Sequence, residues 1–252
     1  MTQVPFTKQY TSKARCQTAV HNYNWLWKKA PELELPLLLK VRNSSLDFES
    51  LPGRHAHPSD LPQLAALLGG VHGRAWAVEL RGARLDQPWR TVDSRMPDYL
   101  QTRQEALRRR TESGYLPADG SLLRLLRTLE ATATGPAAFY KDSNPRNFLL
   151  TAAGEVRTVD FDDLTLAPFG YDLAKLLHTL ALAHGRLSPA RLHAARDAYN
   201  AAASRYGPGL TVSEDALVAH LRLHQALTAP YHDRPHYPYA PRPAQPASGR
   251  TP

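Results

Sequence analysis

Apolar residues recur at helical spacing in several separate stretches of the 252-residue chain. In the first of these, Cys16, Ala19, Val20, Tyr23, Leu26 and Trp27 fall on one side of a helix that Thr11 and Ser12 can cap and that ends before Pro31. Shorter apolar runs follow. Leu35–Val41 and Leu46–Leu51 read as two strands turned by Asn43-Ser44-Ser45, and Pro52-Gly53 breaks the chain behind them. A helix from about Ser59 then carries Leu61, Leu64, Leu67, Leu68 and Val71 on one face. Beyond it the pattern is mostly helical, with helices predicted at Pro97–Thr111, Ser121–Ala131, Tyr171–His184, Pro189–Arg205 and Val212–Ala226.

A different texture interrupts these helices. Phe148-Leu149-Leu150 and Val156–Val159 form a short predicted hairpin turned by Ala153-Gly154, with aspartate-rich loops just outside both strands. Asp142 lies five residues before Asn147 on the loop that leads into the first strand, and Asp160 follows the second, with Phe161 behind it. One hairpin can therefore deliver two carboxylates and an amide to a single magnesium-filled cleft. Phosphoryl transfer from ATP needs little more: a carboxylate to orient the attacking hydroxyl, oxygen ligands for magnesium, and cations for the phosphates.

The pattern divides the chain into a small α/β part over residues 1–52, a helical part over 53–228 that holds the aspartate loops, and a tail over 229–252. The tail holds seven of the 21 prolines and few aliphatic residues, and such a segment reads as extended or disordered and solvated. No internal repeat is present.

Composition narrows the chemistry only slightly. The single cysteine, Cys16, excludes an intramolecular disulfide and a cysteine-based zinc site. No apolar run approaches a membrane span and the first ten residues have no signal-peptide core, so a cytoplasmic protein without a membrane partner is expected. Lys and Arg number 31 against 23 Asp and Glu, a net charge of +8 that favours anionic partners. Nothing beyond that charge points to nucleic acid. His55 and His57 read as loop residues rather than a metal pair, and Arg108-Arg109-Arg110 as a solvated helix face.

The run Tyr140-Lys141-Asp142-Ser143-Asn144-Pro145-Arg146-Asn147 resembles the catalytic loop, H-x-D-x-x-x-x-N, of the aminoglycoside phosphotransferase and choline kinase-like family. Val159-Asp160-Phe161-Asp162-Asp163 is similar to that family's metal-binding segment, and Tyr171-Asp172-Leu173-Ala174 to the helix start that follows it. Phe48–Gly53 is similar to its hinge, and Leu67–His72 to a helix end. The resemblance implies an α+β, two-lobed protein kinase-like fold with an abbreviated N-terminal α/β lobe and a mainly helical C-terminal lobe. It implies an ATP- and magnesium-dependent enzyme acting on a hydroxyl of a small molecule. Asp142 would be the catalytic base, and Asn147 and Asp160 the magnesium ligands. Asp172 would hold the loop backbone. Lys8 would contact the α- and β-phosphates, with Lys13 as its substitute, and Glu49, Ser50 and Leu51 would offer backbone groups to the adenine edge.

The chain also departs from this pattern. Tyr140 stands where the family has histidine, and Lys141 where it has a small residue, so that Lys141 or Arg146 could supply charge at the transferred phosphoryl group. No glycine precedes Gly53, and the stretch Ala19–Tyr23 offers Lys8 no glutamate. Those departures motivate an alternative, a kinase-fold binding or regulatory module without turnover. Retention of Asp142, Asn147 and Asp160 together favours the enzyme.

Overall fold

Each element of the computed structural model, which describes residues 4–92, 94–117 and 120–240, can be followed from the local sequence. β1 (Phe6–Gln9) leads into α1 (Lys13–Lys29), whose first turn is capped by the Ser12 hydroxyl accepting the Arg15 N–H at 3.2 Å. β2 (Leu38–Val41) and β3 (Ser45–Phe48) follow, and the three strands form one antiparallel sheet in the order β1-β3-β2, with Lys8 opposite Leu46. The face of α1 differs from the predicted one in detail. Cys16, Ala19, Tyr23 and Leu26 are buried as expected, but Asn22 and Trp25 join them while Trp27 is 46% exposed.

After the short β4 (Arg54–His55), the chain enters α2 (Leu61–Val78) through a tight turn. There Asp60 accepts two hydrogen bonds from the Arg54 guanidinium, at 2.6 and 2.8 Å, and one from the His57 N–H. A hairpin of β5 (Trp89–Arg90) and β6 (Arg95–Met96) leads to α3 (Leu100–Glu112) and α4 (Ser121–Thr132). β7 (Ala137–Tyr140), β8 (Phe148–Leu150), β9 (Val156–Thr158) and β10 (Thr165–Pro168) come next, followed by α5 (Tyr171–His184), α6 (Pro189–Ala203) and α7 (Glu214–Thr228). β8 pairs with β9 and with β4, and β7 pairs with β10. The β7–β10 pair has no counterpart among the predicted strands. Its four-residue members are legible only once they meet across 24 residues of intervening chain.

Two apolar clusters hold the molecule together. One joins α1 and the three-stranded sheet to β7, β10 and the start of α5. The other lies among α2, α5 and α6. In the second, α2 and α6 approach so closely that a Cβ on Gly69 would sit 2.1 Å from the Tyr199 carbonyl oxygen, and one on Gly73 2.9 Å from that of Ala203. No helix among the described residues is long and apolar enough to cross a membrane.

The tail differs from its solvated reading. Over residues 229–240 it is a succession of turns that packs on the domain: Tyr237 is 7% exposed, and the Tyr239 N–H donates to the Leu182 carbonyl at 3.1 Å. The remaining residues, 241–252, lie outside those described.

Two stability predictions follow from this packing. Gly69→Ala forces a methyl group against the α6 backbone and should cost about 1–3 kcal/mol, read as a lowered urea midpoint; an unchanged midpoint would show that the helices part freely. The second concerns protons. Burial holds His72 at a pKa of about 3 and His220 at about 4, and it carries His224 well below the ordinary range. These rings are neutral in the fold but take up protons in the unfolded chain below about pH 6.5. Their contribution to stability is therefore complete above that pH, and falls by about 1.4 kcal/mol per ring per pH unit as the pH drops towards 4. Urea titrations at pH 7 and pH 5 should show this loss, and equal stabilities would refute it.

Candidate active site

The aspartate loops sit where three strands end. β7 runs into residues 141–147, β8 carries the chain away, and β9 brings it back to Asp160. Asp142 and Asp160 both adopt left-handed backbone, with φ of 64° and 59°. That conformation is strained for a residue with a side chain and persists where the surroundings over-determine it. The surroundings are explicit around Asp142. The carboxylate of Asp172, fully buried at the start of α5, accepts the Ser143 N–H at 2.8 Å and the Lys141 N–H at 3.2 Å. The Asn147 side chain donates to the Asp142 carbonyl at 2.7 Å, as does the Asn144 N–H.

The Asp142 carboxylate is gripped from two sides. The Tyr140 hydroxyl donates to it at 2.8 Å, and the Lys175 ammonium lies 3.1 Å from the same oxygen. Burial works to raise its pKa, but Lys175 and the Tyr140 hydrogen bond outweigh that and hold it below the ordinary aspartate value. Tyr140 thus does more than fill the family's histidine position: it bonds the aspartate side chain directly.

Lys175 carries no signal in the helical periodicity, because Tyr171–Lys175 are all buried and α5 has no polar face there. A lysine three residues after Asp172 in a helix start whose other residues are mainly apolar is the one available clue. Conversely, Lys141 does not reach the cleft. It is fully buried with its ammonium 4.6 Å from the centre of the Phe148 ring and without a hydrogen bond, and burial lowers its pKa. The expectation that it meets the phosphates is corrected: residues alternate sides along the loop, and the position before Asp142 points into the core, towards the charge of Asp172. Arg146 is exposed and does line the cleft.

Lys8 reaches the site from β1. Its ammonium lies 2.7 Å from Asp160 and 2.8 Å from Asp162; burial disfavours its charge, but these two carboxylates keep its pKa above the ordinary lysine value. The helix after it offers no glutamate, and the structure shows what does the coupling instead. Asn22 of α1 donates to the carbonyls of Phe161 and Asp162 at 3.2 and 2.8 Å, and the Tyr10 hydroxyl donates to Asp162 at 3.1 Å. Lys13 begins α1 and has no part in these contacts.

Three adjoining cavities surround these groups. A mainly apolar one of 410 Å³ is walled by Phe48, Leu51, Leu149, Val159 and Phe161, with Lys8, Glu49, Ser50 and Asp160 at its edges. A polar one of 460 Å³ brings Asp142, Asn147 and Asp160 together. The largest, 740 Å³, opens on the other side of Asp142. The hinge residues Glu49, Ser50 and Leu51 border the apolar cavity. The Glu49 N–H is already bonded to the Leu37 carbonyl and its carboxylate accepts the Leu37 N–H, so only the Ser50 and Leu51 N–H groups are left without a partner among the described residues.

The donor set fits magnesium. Asn147 spends its amide nitrogen on the Asp142 carbonyl, which leaves its side-chain oxygen as the free acceptor, and Asp160 is half-exposed. No group of three or more His, Cys, Asp or Glu ligands exists among the described residues. One carboxylate and one amide suit an ion that completes its shell with water and phosphate oxygens rather than a cage built by protein alone. His55 and His57 form no such cage: His57 caps the turn before α2 and packs on His184, while His55 borders the first two cavities.

Comparison with known proteins bears on the fold and the family. No curated protein sequence matches the chain. Among solved structures, an aminoglycoside-3'-phosphotransferase of type VIII is similar at 22% identity, with 88% of this chain and 84% of that one covered and a TM-score of 0.56. Amicoumacin kinase in complex with AMP-PNP and calcium is similar at 15% identity, with 88% and 71% covered and a TM-score of 0.61. An aminoglycoside phosphotransferase from Streptomyces rimosus, in complex with ADP and streptomycin, gives 17%, 89% and 87%, and 0.56. At these identities the likeness establishes the protein kinase-like α+β fold. The model of the phosphotransferase enzyme family matches residues 10–210, and the chain belongs to that family.

Proposed function

We propose that the protein transfers the γ-phosphoryl group of ATP, with magnesium, to a hydroxyl of a small molecule. The observation that carries this reading is the convergence of Asp142, Asn147 and Asp160 on one polar cavity, placed between an apolar cavity bordered by free hinge N–H groups and a larger one open to an acceptor. Adenine suits the apolar cavity. Asn147 and Asp160 would hold the metal, which when bound would neutralise phosphate charge.

Asp142 is the base. Held ionised by Lys175 and Tyr140, it accepts the hydrogen bond of the acceptor hydroxyl and aims the oxygen at phosphorus. The new O–P bond forms as the bond to the β,γ-bridging oxygen breaks, the hydroxyl proton passes to Asp142, and ADP leaves with the bond electrons. Little proton-transfer force is needed. Positioning matters more, and the rigid loop supplies it.

The walls of the largest cavity bear on the acceptor. Its acidic side chains are already paired: Asp142 with Lys175, Asp162 with Lys8, and Asp163 with Arg15. Arg95, Arg103 and Arg110 line it without a carboxylate partner among the described residues. Arg103 is buried, held by the Thr165 hydroxyl at 2.7 Å and packed about 5 Å from the rings of Tyr99, Tyr140 and Tyr171. Such a wall repels a polycation, so the acceptor is a neutral or anionic alcohol rather than a polyamine antibiotic.

The deciding test is calorimetric titration of ATP with and without magnesium, followed by an acceptor screen. Magnesium-dependent binding lost in Asp160→Ala is expected, and no binding by the folded wild type would leave the regulatory-module reading. Asp142→Asn should keep nucleotide binding and lose about a thousandfold in turnover; retained turnover would remove it as base. Lys175→Met should raise the Asp142 pKa and move the acidic limb of the kcat profile to higher pH, because the favourable charge beside the carboxylate is gone. A drop in kcat without that shift would restrict Lys175 to packing. In the screen, sugars, polyols and hydroxy acids should outperform aminoglycosides, and the reverse ranking would overturn the charge argument.

A further inference from the structure

The segment after α7 closes one wall of the polar cavity that holds Asp142, Asn147 and Asp160. Arg234, His236 and Tyr237 line it from the tail, and Arg146 lines it from the catalytic loop. The contact is built rather than incidental. The Asn144 side-chain amide donates to the Tyr237 hydroxyl at 2.6 Å, and the Asn144 Oδ1 accepts the Arg146 N–H at 3.1 Å. Tyr237 is buried, and the Arg234 guanidinium packs 4.7 Å from the centre of the Tyr231 ring. The neighbouring Asp233 faces a different cavity, together with His232.

Charge accounting at this cavity is unusual. Lys8, the cation expected to meet the phosphates, is already shared between two carboxylates. Arg146 and Arg234 pair with no carboxylate among the described residues, and the described small lobe lays no glycine loop over the opening. Two free guanidiniums thus border the cavity into which Asp142 and Asp160 project. Burial, and then Arg146 and Arg234, lower the pKa of His236, which reports that the three groups share one neighbourhood. The cavity touches both neighbours as well. It shares His55 and Asp160 with the apolar cavity, and Asp142, Lys175 and Tyr231 with the acceptor cavity.

We infer that Arg234 of the tail and Arg146 of the catalytic loop, aided by His236, form a phosphate-binding site that holds the terminal phosphates of the nucleotide. Guanidiniums suit this task because their planar donors match phosphate oxygens two at a time. Tyr237 is a positioning residue, tying the tail to Asn144 so that Arg234 stands over the loop. The identity of the nucleotide rests on the kinase reading above, whereas the anion site does not.

Calorimetry on the full chain separates the two. Inorganic tripolyphosphate and magnesium-ATP are titrated into wild type, Arg234→Ala, Arg234→Lys and Tyr237→Phe, with thermal melts to verify folding. Arg234→Ala should weaken both ligands about tenfold, the loss expected for one charge-assisted pair, with partial recovery in Arg234→Lys. Tyr237→Phe keeps the buried ring and should give a smaller loss in the same direction. Equal affinities in wild type and Arg234→Ala overturn the inference while leaving the kinase reading intact. Binding of tripolyphosphate through Arg234, with no response to ATP, keeps the anion site and sinks the kinase reading. Wild type that binds neither ligand overturns both.

Discussion

The site depends on one buried carboxylate. Asp172 accepts two backbone N–H groups from the loop that carries Asp142, and it does so without exposure to water. Burial raises its pKa, while the Lys141 charge and the Ser143 and Lys141 N–H groups work the other way. An acceptor of this kind is worth most where water cannot compete, and its loss would leave two N–H groups orphaned in the core. Because Asp172 stands at the start of α5, it fastens the loop to the helix that also delivers Lys175 to Asp142. Loop backbone, the Asp142 carboxylate and its counter-charge are set by one helix terminus.

That anchoring explains how two left-handed aspartates persist. Asp142 is fixed by Asp172, Asn147 and Asn144 acting on the backbone around it. Asp160 is fixed by the return of β9 and by Lys8. Strain of this sort needs surroundings that cannot relax, and each residue follows a short paired strand, Asp142 after β7, which pairs with β10, and Asp160 after β9, which pairs with β8. The same logic accounts for the unusual small lobe. With no helix glutamate to hold Lys8, the lysine binds the carboxylates of Asp160 and Asp162, and Asn22 and Tyr10 join α1 and its lead-in to the loop that carries them. The coupling between the lobes is made by hydrogen bonds to backbone and carboxylate, not by an ion pair within the small lobe.

Charge is distributed to match. The acids around Asp142 and Asp160 are each met by a cation, and the guanidiniums left without carboxylates border the polar cavity and the largest one. A basic chain can thus place its excess charge where anionic ligands would meet it. The net charge alone could equally have been spread over a solvated surface, as Arg108 and Arg109 are.

The sequence by itself determined the order of chemistry-bearing residues and the elements that carry them. Helical spacing marked α2 through α7, the hairpin of β8 and β9 was legible from its turn, and Asp142, Asn147, Asp160 and Asp172 stood at telling intervals because a loop, a strand and a helix start are local structures. Tertiary structure decided which way the remaining side chains face. Lys141 and Lys175 are both lysines in apolar settings, yet one is drawn towards Asp172 in the core and the other reaches Asp142. Only the packing of α5 against the loop distinguishes them. The Glu49 N–H is consumed by β2's lead-in, and the proline-rich tail docks because Tyr237 finds Asn144, 93 residues earlier in the chain. Such pairings depend on long-range closure of the chain, which no local pattern of apolar and polar residues encodes.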